Sequence, residues 1–367
     1  MFPGAIDRIP TTVEDLDPAW LTRILRQSGA LGVDAEVTGL VPTSLGVGVG
    51  MMSGLVRLGL RTDGPGDRPS LVFKFASPSE TNRAVAEGFR MYEREVRFFS
   101  EVAHTLGDAA PACYLAVHDP VTGAFALLLE DLGDYRAGDQ ASGCSLADVE
   151  RAVERVARLH LGTWGARGNP AYAAWPTCDG PLYVQGLGAG VAAGFDTAMA
   201  AFDHVLAPEI AKAGDRFRSG IPVLHAQMAE GPQALAHGDL RADNLMFATA
   251  EHHRPLVMLD FQAPIVTKPV HDLAYLLTQS VDVTLRQAEE RRVLQEYAAM
   301  LRQADPGYSD EQCWQDYRLA ALHCFEYAVV VAGTLDPSND RGRAWISAMM
   351  ERSSAAIMDL GLLALLP

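Results

Sequence analysis

The stretch Leu235-Ala236-His237-Gly238-Asp239-Leu240-Arg241-Ala242-Asp243-Asn244-Leu245-Met246-Phe247 sets an aspartate five residues ahead of an asparagine. A second aspartate, Asp260, follows Asn244 by sixteen residues, after the apolar run Val257-Met258-Leu259. Transfer of a phosphoryl group to a hydroxyl needs such a set. One carboxylate orients the attacking hydroxyl and accepts its proton, while an amide and a second carboxylate hold Mg²⁺ against the phosphates. The pattern points to Asp239 as base and to Asn244 and Asp260 as cation ligands. Singly, each has a plainer role: Asp239 and Asp260 can cap local N–H groups, and Asn244 is a common turn residue. Only their joint spacing joins them into a site. His237 suits packing beneath the loop, and Asp272, in Pro269-Val270-His271-Asp272-Leu273, suits an N-cap and loop brace. Arg241 can neutralise phosphate or bridge to Asp243.

Lysine use adds a second clue. Among thirty Lys and Arg residues only Lys74, Lys212 and Lys268 are lysine, so each invites a reason. Lys74 sits in Leu71-Val72-Phe73-Lys74-Phe75, a strand interior where lysine is unfavourable unless it snorkels from an edge. Helix spacing selects its partner. Glu95 has Met91, Phe98, Phe99 and Val102 at helical neighbour positions, so it faces apolar surroundings and needs a charge partner. Glu93 has Arg90 and Arg97 at such positions and reads as an outward ion-pair residue, so Lys74 is expected to pair with Glu95.

Several elements must hold these groups. Asp17 and Pro18 open a helix with Trp20, Leu21, Ile24 and Leu25 on one face. From about 35 to 76 the pattern is strand-like, including Leu45-Gly46-Val47-Gly48-Val49-Gly50, whose alternation also suits a tight hairpin, and a turn at Thr62-Asp63-Gly64-Pro65-Gly66-Asp67. Met51-Met52 can line a site or fill a core. A helix is expected from about Glu80 to His104, then strands at Cys113 to Val117 and Phe125 to Leu129. Ser145-x-x-Asp148 opens another helix running to about Trp164. Residues 165–235 are irregular with one or two helices, two short strands flank the loop at 247–255, and helical pattern dominates from Asp272 onward. The fold class is α+β, with a small antiparallel sheet in a lobe of residues 1–132 and a mainly helical lobe over 133–367.

Composition narrows the class. The chain has 367 residues, 49% of them hydrophobic, and no apolar run near the ~18 residues of a membrane span. Met1 to Arg8 holds Asp7 and no basic stretch leading into an apolar one, so it does not read as an export signal. Five scattered cysteines, odd in number and none in a CxxC pair, argue against both a disulfide framework and a zinc site and suit a reducing cytoplasm. The net charge of −16 is spread along the chain without a basic cluster, which excludes nucleic acid as an expected partner. Oligomeric state is not legible.

The order base, amide, carboxylate resembles the protein-kinase catalytic loop. With HGD at 237–239 in place of HRD, the chain resembles the aminoglycoside phosphotransferase and choline kinase superfamily. Asp260-Phe261-Gln262, Leu129-Glu130-Asp131-Leu132 and the Leu159-His160 to Trp164 helix end resemble its ecdysteroid-kinase-like branch. The resemblance implies a two-lobed, protein-kinase-like fold and an ATP- and Mg²⁺-dependent kinase. It implies Asp239 as catalytic base, Asn244 and Asp260 as Mg²⁺ ligands, Lys74 as the phosphate-binding lysine and Glu95 as its partner. Gly46, Gly48, Gly50 and Ser53 would form the loop over the nucleotide, Glu130 and Leu132 would flank the backbone that bonds adenine, and Asp272 would hold the catalytic loop in shape. The acceptor would be a small hydroxylated molecule, a bulky, sterol-like alcohol, held by apolar walls from 165–235 and 285–345. Aminoglycoside or choline phosphorylation is the enzymatic alternative, and a nucleotide-binding pseudokinase module the alternative of another class. Arg241 and Asp243 depart from the pattern, since relatives often carry His, Trp, Pro or Gly there.

Overall fold

Asp17 accepts a hydrogen bond from the Trp20 N–H at 2.8 Å, and Pro18 follows it, so the first helix, α1 (Pro18–Gln27), starts at the residues that cap it. The computed structural model describes residues 8–45, 52–63, 70–334 and 340–367. Asp7, Met51, most of the turn expected at Thr62–Asp67 and part of the 285–345 segment lie outside the described residues. The chain forms two compact units, one ending at Asp134 and the other beginning at Tyr135.

The first unit is built on strands β1 (Glu36–Ser44), β2 (Ser53–Asp63), β3 (Ser70–Ala76), β4 (Cys113–His118) and β5 (Phe125–Glu130). They form one antiparallel sheet in the order β1-β2-β3-β5-β4. Strand β3 is central, and Lys74 stands between Leu55 of β2 and Leu127 of β5. Trp20, Leu21, Ile24 and Leu25 of α1 pack with Leu58, Phe73, Leu115 and Leu128 in one core. A second apolar cluster contains Tyr92, Ala116, Phe125 and Leu127.

The helix expected from Glu80 to His104 is broken. It divides into α2 (Glu80–Gly88) and α3 (Met91–Arg97), followed by a wide turn, Phe98–Val102, and a tight one, Ala103–Ala109. Gly88, the poorest helix former after proline, ends α2, the Phe89 N–H closes back on Val85 O, and Arg90 takes a left-handed conformation with φ of 55°. The break resets the helical phase. Val85 is therefore 40% exposed, whereas Tyr92 and Glu95 are buried.

The second unit contains β6 (Arg136–Ala137), β7 (Ala234–Ala236), β8 (Leu245–Phe247), β9 (Leu256–Met258) and β10 (Ile265–Thr267). They pair as the ladders β6-β8-β9 and β10-β7. Its helices are α4 (Leu146–Gly162), α5 (Pro181–Val184), α6 (Gly186–Ala201), α7 (Pro208–Lys212), α8 (Gly214–Met228), α9 (His271–Ser280), α10 (Val283–Leu301), α11 (Asp310–Thr334) and α12 (Asp340–Asp359). Ser145 and Asp148 form a reciprocal capping box at the start of α4.

Residues 165–235 thus hold four helices rather than one or two, and two of them are long. Helix α6 is rich in glycine and alanine because it lies hard against α11: a Cβ at Gly333 would come within 2.0 Å of the Gly194 carbonyl oxygen. Small residues replaced the large apolar stripe that marks a helix in sequence. Helix α8 runs through Pro222, a residue that normally ends one. Among the described residues no helix is long and apolar enough to cross a membrane.

Candidate active site

The loop after β7 is shaped by its glycine. Gly238 has φ of 81°, and a Cβ there would meet the Ala263 carbonyl oxygen at 2.0 Å, so no other residue fits this turn. Asp272, buried in the first turn of α9, then fixes the backbone. Its oxygens accept the His237 N–H at 2.7 Å and the Gly238 N–H at 2.9 Å. It also accepts from His160 Nε2 at 3.0 Å, while the Tyr297 hydroxyl donates to His160 Nδ1 at 2.6 Å. Asp272 therefore braces the loop, but it does not cap α9, whose N-cap position is Val270. The carboxylate is spent on the loop instead. Burial pushes its pKa up, but the bonded His160 ring and the His271 ring 3.6 Å away outweigh this and hold it well below the usual carboxylate range.

Asp239 follows directly. Asn244 Nδ2 donates to the Asp239 carbonyl oxygen at 2.8 Å and to Asp239 Oδ2 at 3.0 Å, which leaves the Asn244 side-chain oxygen as the group able to meet a cation. The Leu259 N–H donates to the Asn244 carbonyl at 2.8 Å, one peptide before Asp260. Asp260 itself is held at φ of 63°, a conformation rare for aspartate and typical of residues fixed for a purpose. His237 links both segments: Nδ1 accepts the Asp239 N–H at 3.3 Å, so Nε2 carries the hydrogen and donates to Leu259 O at 2.9 Å. Its ring packs 4.8 Å from Phe261, the structural placing read from the sequence.

Arg241 bridges to Asp243 at 3.1 Å and also lies 3.5 Å from Asp239 Oδ2. Tyr275, three residues beyond Asp272 on α9, stands near the Asp239 carboxylate: burial first, and then the Asp239 charge, raise the pKa of its hydroxyl. Burial raises the Asp239 pKa, Arg241 pulls it back, and Asp260 pushes it up again, with a net upward shift. Tyr275 was absent from the sequence reading. Its signal was the three-residue spacing from Asp272, which puts both on one helix face.

In the first unit, Lys74 Nζ lies 2.7 Å from Glu95 Oε1, with the residues 5% and 1% exposed. Glu93 instead meets Arg90 at 2.6 Å and Arg97 at 4.0 Å on the surface. Tyr92 supports the same region: its hydroxyl donates to Met52 O at 2.7 Å and accepts from the Ser77 N–H at 2.9 Å. That ties the start of β2 to the end of β3. Ser53, buried beside Met52, keeps a hydroxyl with no partner among the described residues. Gly46, Gly48 and Gly50 lie outside the described residues. Glu130 ends β5 with its N–H bonded to Ala112 O, and Leu132 is buried two residues on.

The antiparallel five-stranded sheet and the helical unit carrying the loop define a kinase-like fold, one found in solved small-molecule kinases. The Plasmodium vivax ethanolamine kinase matches with a TM-score of 0.53 at 11% identity, over 90% of this chain and 85% of that one. Choline kinase from Cryptosporidium parvum Iowa II matches with 0.53 at 11%, over 94% and 97%. A variant of aminoglycoside 2'-phosphotransferase-IIIa in complex with GDP matches with 0.54 at 15%, over 93% and 97%. No curated protein matches the chain. The ecdysteroid kinase-like family matches residues 48–165 and 183–305, well over half of the sequence, and the chain belongs to that family. Lys74, Glu95, Asp239, Asn244, Asp260 and Asp272 all fall within the matched segments.

Proposed function

We propose that the protein transfers the γ-phosphoryl group of ATP to a hydroxyl of a small organic molecule, with Mg²⁺ as the cation. The observation that carries this reading is the Asn244 amide bonded to the Asp239 carboxylate and, through Leu259, set one residue from Asp260. The donors suit the group: carboxylate and amide oxygens are ligands for a hard cation, and a buried lysine and an unpartnered hydroxyl at Ser53 suit phosphate. Bound MgATP supplies the transferable phosphoryl group and its leaving oxygen. Asp239 orients the acceptor hydroxyl and takes its proton, and Asn244 holds that carboxylate in place. Asp260 and Asn244 hold the cation. Lys74, positioned by Glu95, meets phosphate oxygens, and the backbone of 130–132 takes the adenine. The acceptor is a bulky, weakly charged alcohol bound in the second unit, against helices from 165–235 and 285–345. Family membership supports that choice.

The test is Mg²⁺-dependent consumption of ATP across a panel of hydroxylated metabolites, sterol-like alcohols, aminoglycosides and choline, with products read by mass spectrometry for the gain of one phosphoryl group. ATP binding without transfer to any of them or to water would instead mark a nucleotide-binding regulatory module. Asp260→Asn should raise the Mg²⁺ concentration for half-maximal rate, since a neutral amide replaces a charged ligand of a hard cation. An unchanged magnesium titration would contradict its role.

Lys74→Ala and Glu95→Gln should each lower kcat/KM for ATP by about tenfold or more, as expected for a charge-assisted contact worth about 1.5–3 kcal/mol. Glu93→Gln should stay within about twofold, because an exposed helical ion pair contributes only about 0.3–0.5 kcal/mol. The assignment fails if Glu93→Gln is as damaging as Lys74→Ala while Glu95→Gln behaves like the parent.

A further inference from the structure

A second polar cluster lies in the second unit, buried between two of the helices proposed to bound the acceptor and made of residues given no part in the transfer. His225 of α8 and His323 and Glu326 of α11 are each 0% exposed, and their ligand atoms lie within 4.8 Å of one another. His323 and Glu326 are three residues apart, so one helix face presents both. His225 Nδ1 lies 2.6 Å from the Cys178 carbonyl oxygen, which only accepts, so Nδ1 carries the hydrogen. Nε2 is thereby left to face Glu326 Oε2 at 2.9 Å. A ring lone pair does not rest against a carboxylate oxygen without a proton or a cation between them. A proton satisfies that contact alone. Both ring nitrogens of His323 and Oε1 of Glu326 are buried with no hydrogen-bond partner among the described residues, a costly arrangement in a closed interior. A metal ion engages all three side chains together, through one ring nitrogen of each histidine and the carboxylate.

We infer that His225, His323 and Glu326 bind a divalent transition-metal ion of the zinc class. Two imidazole nitrogens and one carboxylate are a zinc ligand set, and nitrogen ligands disfavour magnesium or calcium. The Cys178 carbonyl fixes the His225 tautomer, the role such outer partners play at metal centres. Cys324, whose thiol donates to His271 O at 3.8 Å, groups with His271 and His323 and not with His225 and Glu326. The His271 ring lies 5.4 Å from that of His323 and immediately precedes Asp272, so the ion ties α8 to α11 beside the helix that braces the catalytic loop. His323 and Glu326 fall beyond residue 305, where the family match ends.

The full chain, stripped with chelator and kept in excess Mg²⁺ to occupy the carboxylates of the catalytic loop, is titrated with Zn²⁺ against a chromophoric competitor. Co²⁺ is substituted in parallel for its visible bands. One ion per chain is expected, with an unfolding midpoint raised by roughly 3–5 °C at a hundredfold excess over Kd. Binding should persist in Cys324→Ser and Asp260→Asn and be lost in Glu326→Gln, His225→Gln and His323→Leu. Absence of stoichiometric binding by the parent chain overturns the inference, as does binding that Glu326→Gln and His225→Gln leave unchanged. Either result leaves a proton-shared His225–Glu326 pair. The parent titration and the near-isosteric Glu326→Gln keep the test decisive if His323→Leu does not fold.

Discussion

Asp239→Asn is expected to fold and bind ATP like the parent while losing about two to four orders of magnitude in kcat, the range for removal of a positioned general base. The substitution keeps the shape of the side chain but abolishes its charge and proton affinity. Asn244 Nδ2 now sits 3.0 Å from the Asp239 carboxylate and can still find an amide oxygen there, so the loop is preserved. Arg241, 3.5 Å from the same carboxylate, keeps Asp243 as its other partner at 3.1 Å. The folded state loses little. The reaction loses the acceptor for its proton. Because burial raises the Asp239 pKa against the pull of Arg241, the acid limb of kcat/KM, which reports the free enzyme, should fall at a pH above the ordinary aspartate range of about 3.9. That acid limb should vanish from the residual activity of the Asn variant. Retention of more than about a tenth of parental kcat would remove Asp239 from the base role.

What the sequence disclosed follows from how local each constraint is. Asp239, Asn244 and Asp260 are legible together because a single hairpin, β8 with β9, brings them into one place, so their spacing is set by short-range geometry. Lys74 and Glu95 were legible by exclusion: a lysine in a strand interior and a glutamate among apolar neighbours each needed a partner, and Glu93 was already served by Arg90 and Arg97. The polar role of Tyr92 was missed because it acts through one hydroxyl reaching across tertiary space, and Tyr275 because an aromatic residue on a buried helix face looks like core. The break at Arg90 was missed because the residues on either side keep helical spacing and only the phase changes. The helices expected within 165–235 were not located, α6 because close approach to α11 demanded small residues and α8 because its tertiary packing tolerates Pro222. In each case tertiary contact overrode the local signal.

The second large effect should come from a residue that touches no substrate. Asp272→Ala removes the acceptor for the His237 and Gly238 N–H groups and for His160, all inside a fully buried site. Each buried donor left unpaired costs about 1–3 kcal/mol, and part of that is recovered by relaxation, so a loss of roughly 3–5 kcal/mol in unfolding free energy is expected. Asp272→Asn should lose less, since its amide oxygen still serves one loop N–H while its NH₂ faces another donor. Both should lower kcat, because the turn that aims Asp239 is held by these bonds. The pH dependence separates the carboxylate from mere volume. The folded-state pKa of Asp272 lies below its unfolded value, so its stabilisation is fully present above the unfolded pKa and is lost as pH falls through the folded one. The stability gap between parent and Asp272→Ala, measured by denaturant unfolding, should therefore be flat near neutrality and narrow below about pH 4. A gap that stays constant through that acid range, or an Ala variant as stable as the parent, would show that the loop is held by something other than the Asp272 charge.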